Sequence, residues 1–286
     1  MNKGCWVAAI TPMTESGAID YQAWTRILNR FTLSGVSGVV VLGTTAESIN
    51  IEFSEREQLL KIASNVLGST DWYVGVGHAS MQTAITYSKQ AIEYGASGLM
   101  AVSPFYNRPM ADGLIQYYLK ILAFGLPVMA YNVPSRTGID VGCEVWDELY
   151  SCNNFVAIKE ASPDVNRAAL LVERYPRLTI LSGNDNQLIP WLRLGGHGIV
   201  SVIANAIPEI FSEICNHALA TNFDKAEELY QSVSDLLSAA ELAVNPIAIK
   251  CIMHSLGLTD LGLRLPLMVT DEIYQEVTKN IKEELC

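Results

Sequence analysis

Phe155-Val-Ala-Ile-Lys-Glu-Ala-Ser162 is a short apolar run that closes on a lysine. It reads as a strand buried on both faces, of the kind found in parallel sheets. An ammonium group in such a place is costly to desolvate. Burial lowers a lysine pKa and frees the amine to attack carbonyl carbon. The plainer reading is a lysine that leaves the strand at its end and reaches solvent. The rest of the chain decides between the two.

Similar runs recur at Cys5–Ile10, Gly38–Leu42, Trp72–Val76, Gly98–Val102, Pro127–Tyr131, Leu178–Leu181 and Gly198–Val202. Between them lie amphipathic stretches such as Asp20–Leu33, Ser54–Leu67, Ser80–Tyr94, Ala111–Phe124 and Asp164–Arg174. Strands alternating with helices argue for βα units and a parallel sheet. Eight in that rhythm fit a (β/α)8 TIM barrel. Gly35-Val-Ser-Gly38, Gly95-Ala-Ser-Gly98 and Gly195-Gly-His-Gly198 repeat one helix-to-strand connection, in which the first glycine suits a left-handed cap. Repetition of that joint favours quasi-equivalent units around a closed sheet, with a doubly wound open sheet as the alternative. After residue 220 the strand pattern stops. Asn222–Ala243, Pro246–Leu256 and Thr270–Glu284 read as helices. The expected organisation is a catalytic barrel over 1–220 and a C-terminal helical extension over 221–286, packed on it.

Bulk properties narrow the function classes. The formal net charge is −11 over 286 residues. No basic surplus is available to neutralise phosphates, which argues against nucleic-acid binding. The start of the chain lacks a secretion signal, and no apolar run reaches the ~20 residues a membrane helix needs. Six scattered cysteines without a CxxC pair suggest reduced thiols and a cytoplasmic location. The four histidines form no HxxxH or HExxH pattern, so neither a sequence-local metal site nor a cofactor is expected.

Barrel chemistry sits at the C-terminal strand ends. Those positions hold Gly43-Thr44-Thr45-Ala46-Glu47-Ser48, Ser103-Pro-Phe-Tyr106-Asn-Arg108, Tyr131-Asn-Val-Pro-Ser-Arg136-Thr-Gly138, Lys159-Glu160, Asn184-Asp185 and Ala204-Asn205. Taken singly, the threonines could be helix caps, the tyrosines core aromatics and the arginines solvated loop charges. Taken together they permit amine catalysis, in which tyrosine and threonine hydroxyls pass protons and an arginine binds a carboxylate.

The same segments, with Gly195-Gly-His-Gly198, Asn245-Pro246 and Leu263-Arg-Leu-Pro266, closely resemble the dihydrodipicolinate synthase family of pyruvate-dependent class I aldolases over essentially the whole chain. The resemblance implies condensation of pyruvate with L-aspartate 4-semialdehyde on the route to diaminopimelate and lysine. It implies that Lys159 forms the Schiff base and that Tyr131 gives and takes protons. Thr44 and Tyr106 would complete the relay, with Tyr106 reaching a neighbouring subunit of a homotetramer. Thr45 and the backbone at Val200 would hold pyruvate, and Arg136 the carboxylate of the semialdehyde.

The chain departs from the family pattern in three places. Ala46 stands for the usual glycine, and Ser162-Pro163 for Thr-Gly. Arg56, Ala79 and Thr83 stand where lysine-inhibited members carry histidine, asparagine and glutamate. Without that glutamate the expectation is insensitivity to lysine. Rival readings are an N-acetylneuraminate lyase or keto-sugar-acid aldolase, which usually lack the Ser-Arg-Thr-Gly of 135–138, a metal-dependent aldolase, and a non-catalytic sensor of small acids.

Overall fold

A computed structural model describes residues 1–281. Eight parallel strands close in sequence order: β1 (Gly4–Ala8), β2 (Gly38–Val41), β3 (Trp72–Gly75), β4 (Gly98–Val102), β5 (Val128–Asn132), β6 (Phe155–Glu160), β7 (Thr179–Ser182) and β8 (Gly198–Ser201). Trp6 pairs with Val200 across the seam where β8 meets β1. The open-sheet alternative is therefore excluded. The strand bounds fall within one or two residues of those expected.

Alternation of side chains along each strand separates two cores. Inward positions, among them Trp6, Val40, Tyr73, Met100, Met129 and Leu181, fill the barrel. Outward positions pack against the ring of helices. Lys159 lies in step with inward Ala157 and Ala161, and Tyr131 with inward Met129 and Val133.

The repeated glycines have two separate reasons. Gly35, Gly95 and Gly195 take φ of 73°, 76° and 89°, the left-handed cap that closes a helix. Gly38 and Gly98 leave room for interior aromatics: an added Cβ would lie 2.4 Å from Trp6 and 2.5 Å from Tyr73. Helix starts follow side-chain caps. Asp20 accepts from the amides of Gln22 and Ala23 ahead of helix Tyr21–Leu33, and Ser80 accepts from Thr83 ahead of Met81–Glu93. The helix expected from Asp164 begins at Arg167, because the Asp164 carboxylate accepts from Asn166 and holds a turn.

The C-terminal extension is helical and folded onto the barrel. The stretch expected as one helix over Asn222–Ala243 is two, Phe223–Ser232 and Ser234–Glu241, broken at Val233. Ile247–Ser255 and Asp271–Thr278 follow; the expected end at Glu284 lies outside the described residues. Two ion pairs fasten the extension to the loop after β2 and to the helix that follows it, Phe53–Leu67. Lys250 donates to Glu47 at 2.5 Å, with both side chains almost fully buried. Arg264 makes two 2.6 Å bonds to Glu55 and donates its amide to Glu47. Among the described residues no helix is long and apolar enough to cross a membrane.

Candidate active site

Tyr131 and Lys159 are register partners on β5 and β6. The lysine nitrogen lies 4.2 Å from the centre of the tyrosine ring. Only 4% of the lysine and 5% of the tyrosine are exposed. Burial brings the Lys159 pKa down to about 8; nearby Asp185 opposes that and Arg136 adds to it. Burial also raises the Tyr131 hydroxyl to about 12, so it stays protonated near neutrality. Of the two readings of the lysine, the buried one holds.

Beneath this pair the strand ends are fixed by a polar network on the outer face. Glu160 accepts from Asn132, from the amide of Ser162 and from Arg167, while Arg167 also donates to Asp140 and to the carbonyl of Val141. Burial pushes the Glu160 carboxyl upward, against the pull of Arg167 and the other donors. Alternation sends Glu160 outward and Lys159 inward, so this carboxylate braces the strand and leaves the amine to the interior.

A cavity of about 280 Å³ opens at the same end, walled by Thr44, Glu47, Phe105, Arg136 and Asn245 among others. Thr44 and Thr45 sit in a short 3-10 turn after β2. Thr45 is buried and accepts from the Asn245 side chain at 3.1 Å. Arg136, exposed on the helical turn Pro134–Thr137, donates to the Asn245 carbonyl at 2.9 Å. Asn245 thus joins two expected binding residues. The sequence pattern assigns Asn245 no role, because it lies in the extension, far from any strand end.

Val200 is wholly buried on β8 and packs in the barrel interior. Tyr106 is not brought to the pair. It is 93% exposed with φ of 72°, a left-handed conformation uncommon outside glycine. Arg56, which stands where lysine-inhibited members carry a histidine, is fully buried. It donates to the Gly75 carbonyl and to Gln90, and its guanidinium lies 3.6 Å from the centre of the Tyr87 ring. Desolvation holds its pKa at about 10. Among the described residues no group of three or more His, Cys, Asp or Glu side chains is placed to hold a metal ion.

A shielded amine near neutrality in its protonation, beside a protonated phenol, is equipped to form an imine and shuttle protons around it. On a closed parallel barrel that chemistry defines a lyase of the class I aldolase type. The chain belongs to the dihydrodipicolinate synthetase family, whose model matches residues 1–284. The 4-hydroxy-tetrahydrodipicolinate synthase of Campylobacter hominis is 35% identical over 98% of this chain and 96% of its own length. The fold superposes with a TM-score of 0.94 on the chloride-inhibited dihydrodipicolinate synthase of Acinetobacter baumannii complexed with pyruvate, at 33% identity over 98% of this chain and 97% of that one. The enzyme of Cyanidioschyzon merolae with lysine bound gives a TM-score of 0.91 at 30% identity, covering 97% of this chain and 96% of that one.

Proposed function

We propose that this protein condenses pyruvate with L-aspartate 4-semialdehyde in the cytoplasm, as the 4-hydroxy-tetrahydrodipicolinate synthase step of lysine and diaminopimelate formation. The observation that carries the reading is the buried Lys159 amine against the Tyr131 ring. The relatives named for this activity, and the relative complexed with pyruvate, support it.

In the first step the neutral amine of Lys159 attacks the ketone carbon of pyruvate. A carbon–nitrogen bond forms, and the ketone oxygen leaves as water after taking up two protons, one passed by Tyr131. The imine draws electrons, a methyl proton leaves, and the enamine carbon bonds to the aldehyde carbon of the semialdehyde. The new alkoxide takes a proton. The semialdehyde's amino group then attacks the imine carbon and displaces Lys159. Thr45 and the Val200 backbone hold the pyruvate carboxylate and carbonyl region, and Arg136 the carboxylate of the semialdehyde. Thr44 links Tyr131 to Tyr106. Because Tyr106 projects from the surface, its hydroxyl serves the site of another copy, in a homotetramer. The barrel over 1–220 carries the catalysis, with 221–286 as its extension.

Regulation follows from the substituted positions. Thr83 offers no carboxylate to an ammonium ligand. Arg56 places a fixed positive charge behind Gly75. The enzyme is therefore insensitive to lysine, unlike a family member that binds it.

The deciding experiment incubates the protein with pyruvate and borohydride, then compares turnover of pyruvate plus semialdehyde with cleavage of N-acetylneuraminate. The expected result is a covalent adduct on Lys159 and turnover of the first pair only. Folded protein that gives no adduct would be a sensor; cleavage of the sugar acid would make it a lyase of that class.

A further inference from the structure

The loop after β7, Ser182-Gly183-Asn184-Asp185, touches two parts of the site. Gly183 lies against the lysine side chain: an added Cβ there would sit 3.0 Å from Lys159 Cε and 2.7 Å from Ala161 Cβ. Two residues on, the Asp185 carboxylate takes three donors at the end of β8. Ser201 Oγ donates at 2.5 Å, the Val202 amide at 3.0 Å and the Ile203 amide at 3.2 Å. Ser201 Oγ in turn accepts from the Ala204 amide at 2.9 Å. The Asp185 carbonyl accepts from Tyr230 of the extension at 2.9 Å. This one residue therefore fixes the corner that follows Val200 and is itself held from behind.

Resting on the reading of Lys159 as the Schiff-base amine, we propose that Asp185 is a positioning residue. It clamps the β8 corner that holds pyruvate and supplies the half-buried counter-charge against which the lysine gains and loses its proton. The charged and titratable groups around Lys159 can be named. Tyr131 faces it from β5, while the charges of Arg136, on the turn after β5, and of Asp185, after β7, act on it through space. Glu160, its neighbour on β6, is turned outward to Arg167. Asp185 is thus the carboxylate that opposes the desolvation of the amine. Burial raises its own pKa, while the Ser201, Val202 and Ile203 donors and the Lys159 charge pull it down. Two carboxylates near one lysine thus have different work: Glu160 braces the strand, and Asp185 tunes the amine.

The test follows cyanoborohydride trapping of pyruvate against pH, read as adduct mass on the full chain, with pyruvate KM measured in parallel. In Asp185→Asn the midpoint of the trapping profile moves roughly one pH unit lower, because removing an opposing charge favours the neutral amine. Ser201→Ala keeps the charge and loses one clamp; pyruvate KM rises several-fold and the midpoint does not fall. An Asp185→Asn profile that keeps the wild-type midpoint overturns the inference. If that variant does not fold by circular dichroism, Ser201→Ala decides it, and an unchanged pyruvate KM there overturns it. No adduct in folded wild-type protein would instead remove the parent reading of Lys159.

Discussion

Lys159 and Tyr131 face each other across the β5–β6 register, with the lysine nitrogen 4.2 Å from the ring centre and neither residue more than 5% exposed. A cation in that position is held for its chemistry at some cost to stability.

That cost makes the first prediction. The folded-state pKa of Lys159, about 8, lies below its ordinary 10.5. Below pH 8 both folded and unfolded chains carry the proton, and the folded state bears the full penalty. Between 8 and 10.5 the unfolded state binds more protons, so stability rises with pH. Lys159→Met should therefore abolish turnover and the pyruvate adduct, yet be more stable than wild type by up to about 3 kcal/mol below pH 8. The gain should fade toward pH 10.5. Denaturant melts at several pH values check it.

The same pKa sets a kinetic expectation. The kcat/KM for pyruvate should climb with pH and level off above about 8, as the free amine becomes the dominant form. Tyr131→Phe should keep the fold and lower imine formation by roughly 10²- to 10⁴-fold, the usual contribution of a positioned acid–base group. Stopped-flow trapping against thermal melting separates the two effects.

Arg136 is expected to act on one substrate. Arg136→Ala should raise KM for the semialdehyde far more than KM for pyruvate. Arg136→Lys should rescue little, because a point charge does not replace a planar fork. Steady-state kinetics with each substrate varied in turn would show it.

The Lys250–Glu47 pair is the deepest ion pair described, with side-chain exposures of 1% and 0%. Burial lowers the lysine pKa and the carboxylate beside it raises it again. Lys250→Met should cost about 3–5 kcal/mol by stranding Glu47, and adding Glu47→Leu should recover much of that. A double-mutant cycle in denaturant measures the coupling.

Lysine at ~1 mM should leave the initial rate unchanged, since an ammonium ligand without a carboxylate partner gains too little to offset its desolvation. Clear inhibition in a coupled assay would refute the reading of Arg56, Ala79 and Thr83.

The barrel was legible because its signal is local and repeated. Eight short apolar runs and three matched glycine joints each report on their own few residues. Lys159 was legible because it closes an apolar run, and Tyr131 because it ends a strand and matches the family motif. Three features were not. The break at Val233 lies inside an unbroken amphipathic pattern, so packing rather than sequence period ends the helix. The bridge from Asn245 to Thr45 spans 200 positions, and no periodicity carries across such a gap. Arg56 is placed in a pocket for free lysine by resemblance alone, which carries no information on its partners; here an aromatic ring and a carbonyl accept it inside.

Asn245, Lys250 and Arg264 reach back from the last fifth of the chain to the loop after β2, and this bears on the order of synthesis. All eight strands have been synthesised before Asn245, Lys250 and Arg264 exist, so the threonine turn and Glu47 gain these partners only when almost the whole chain has been made.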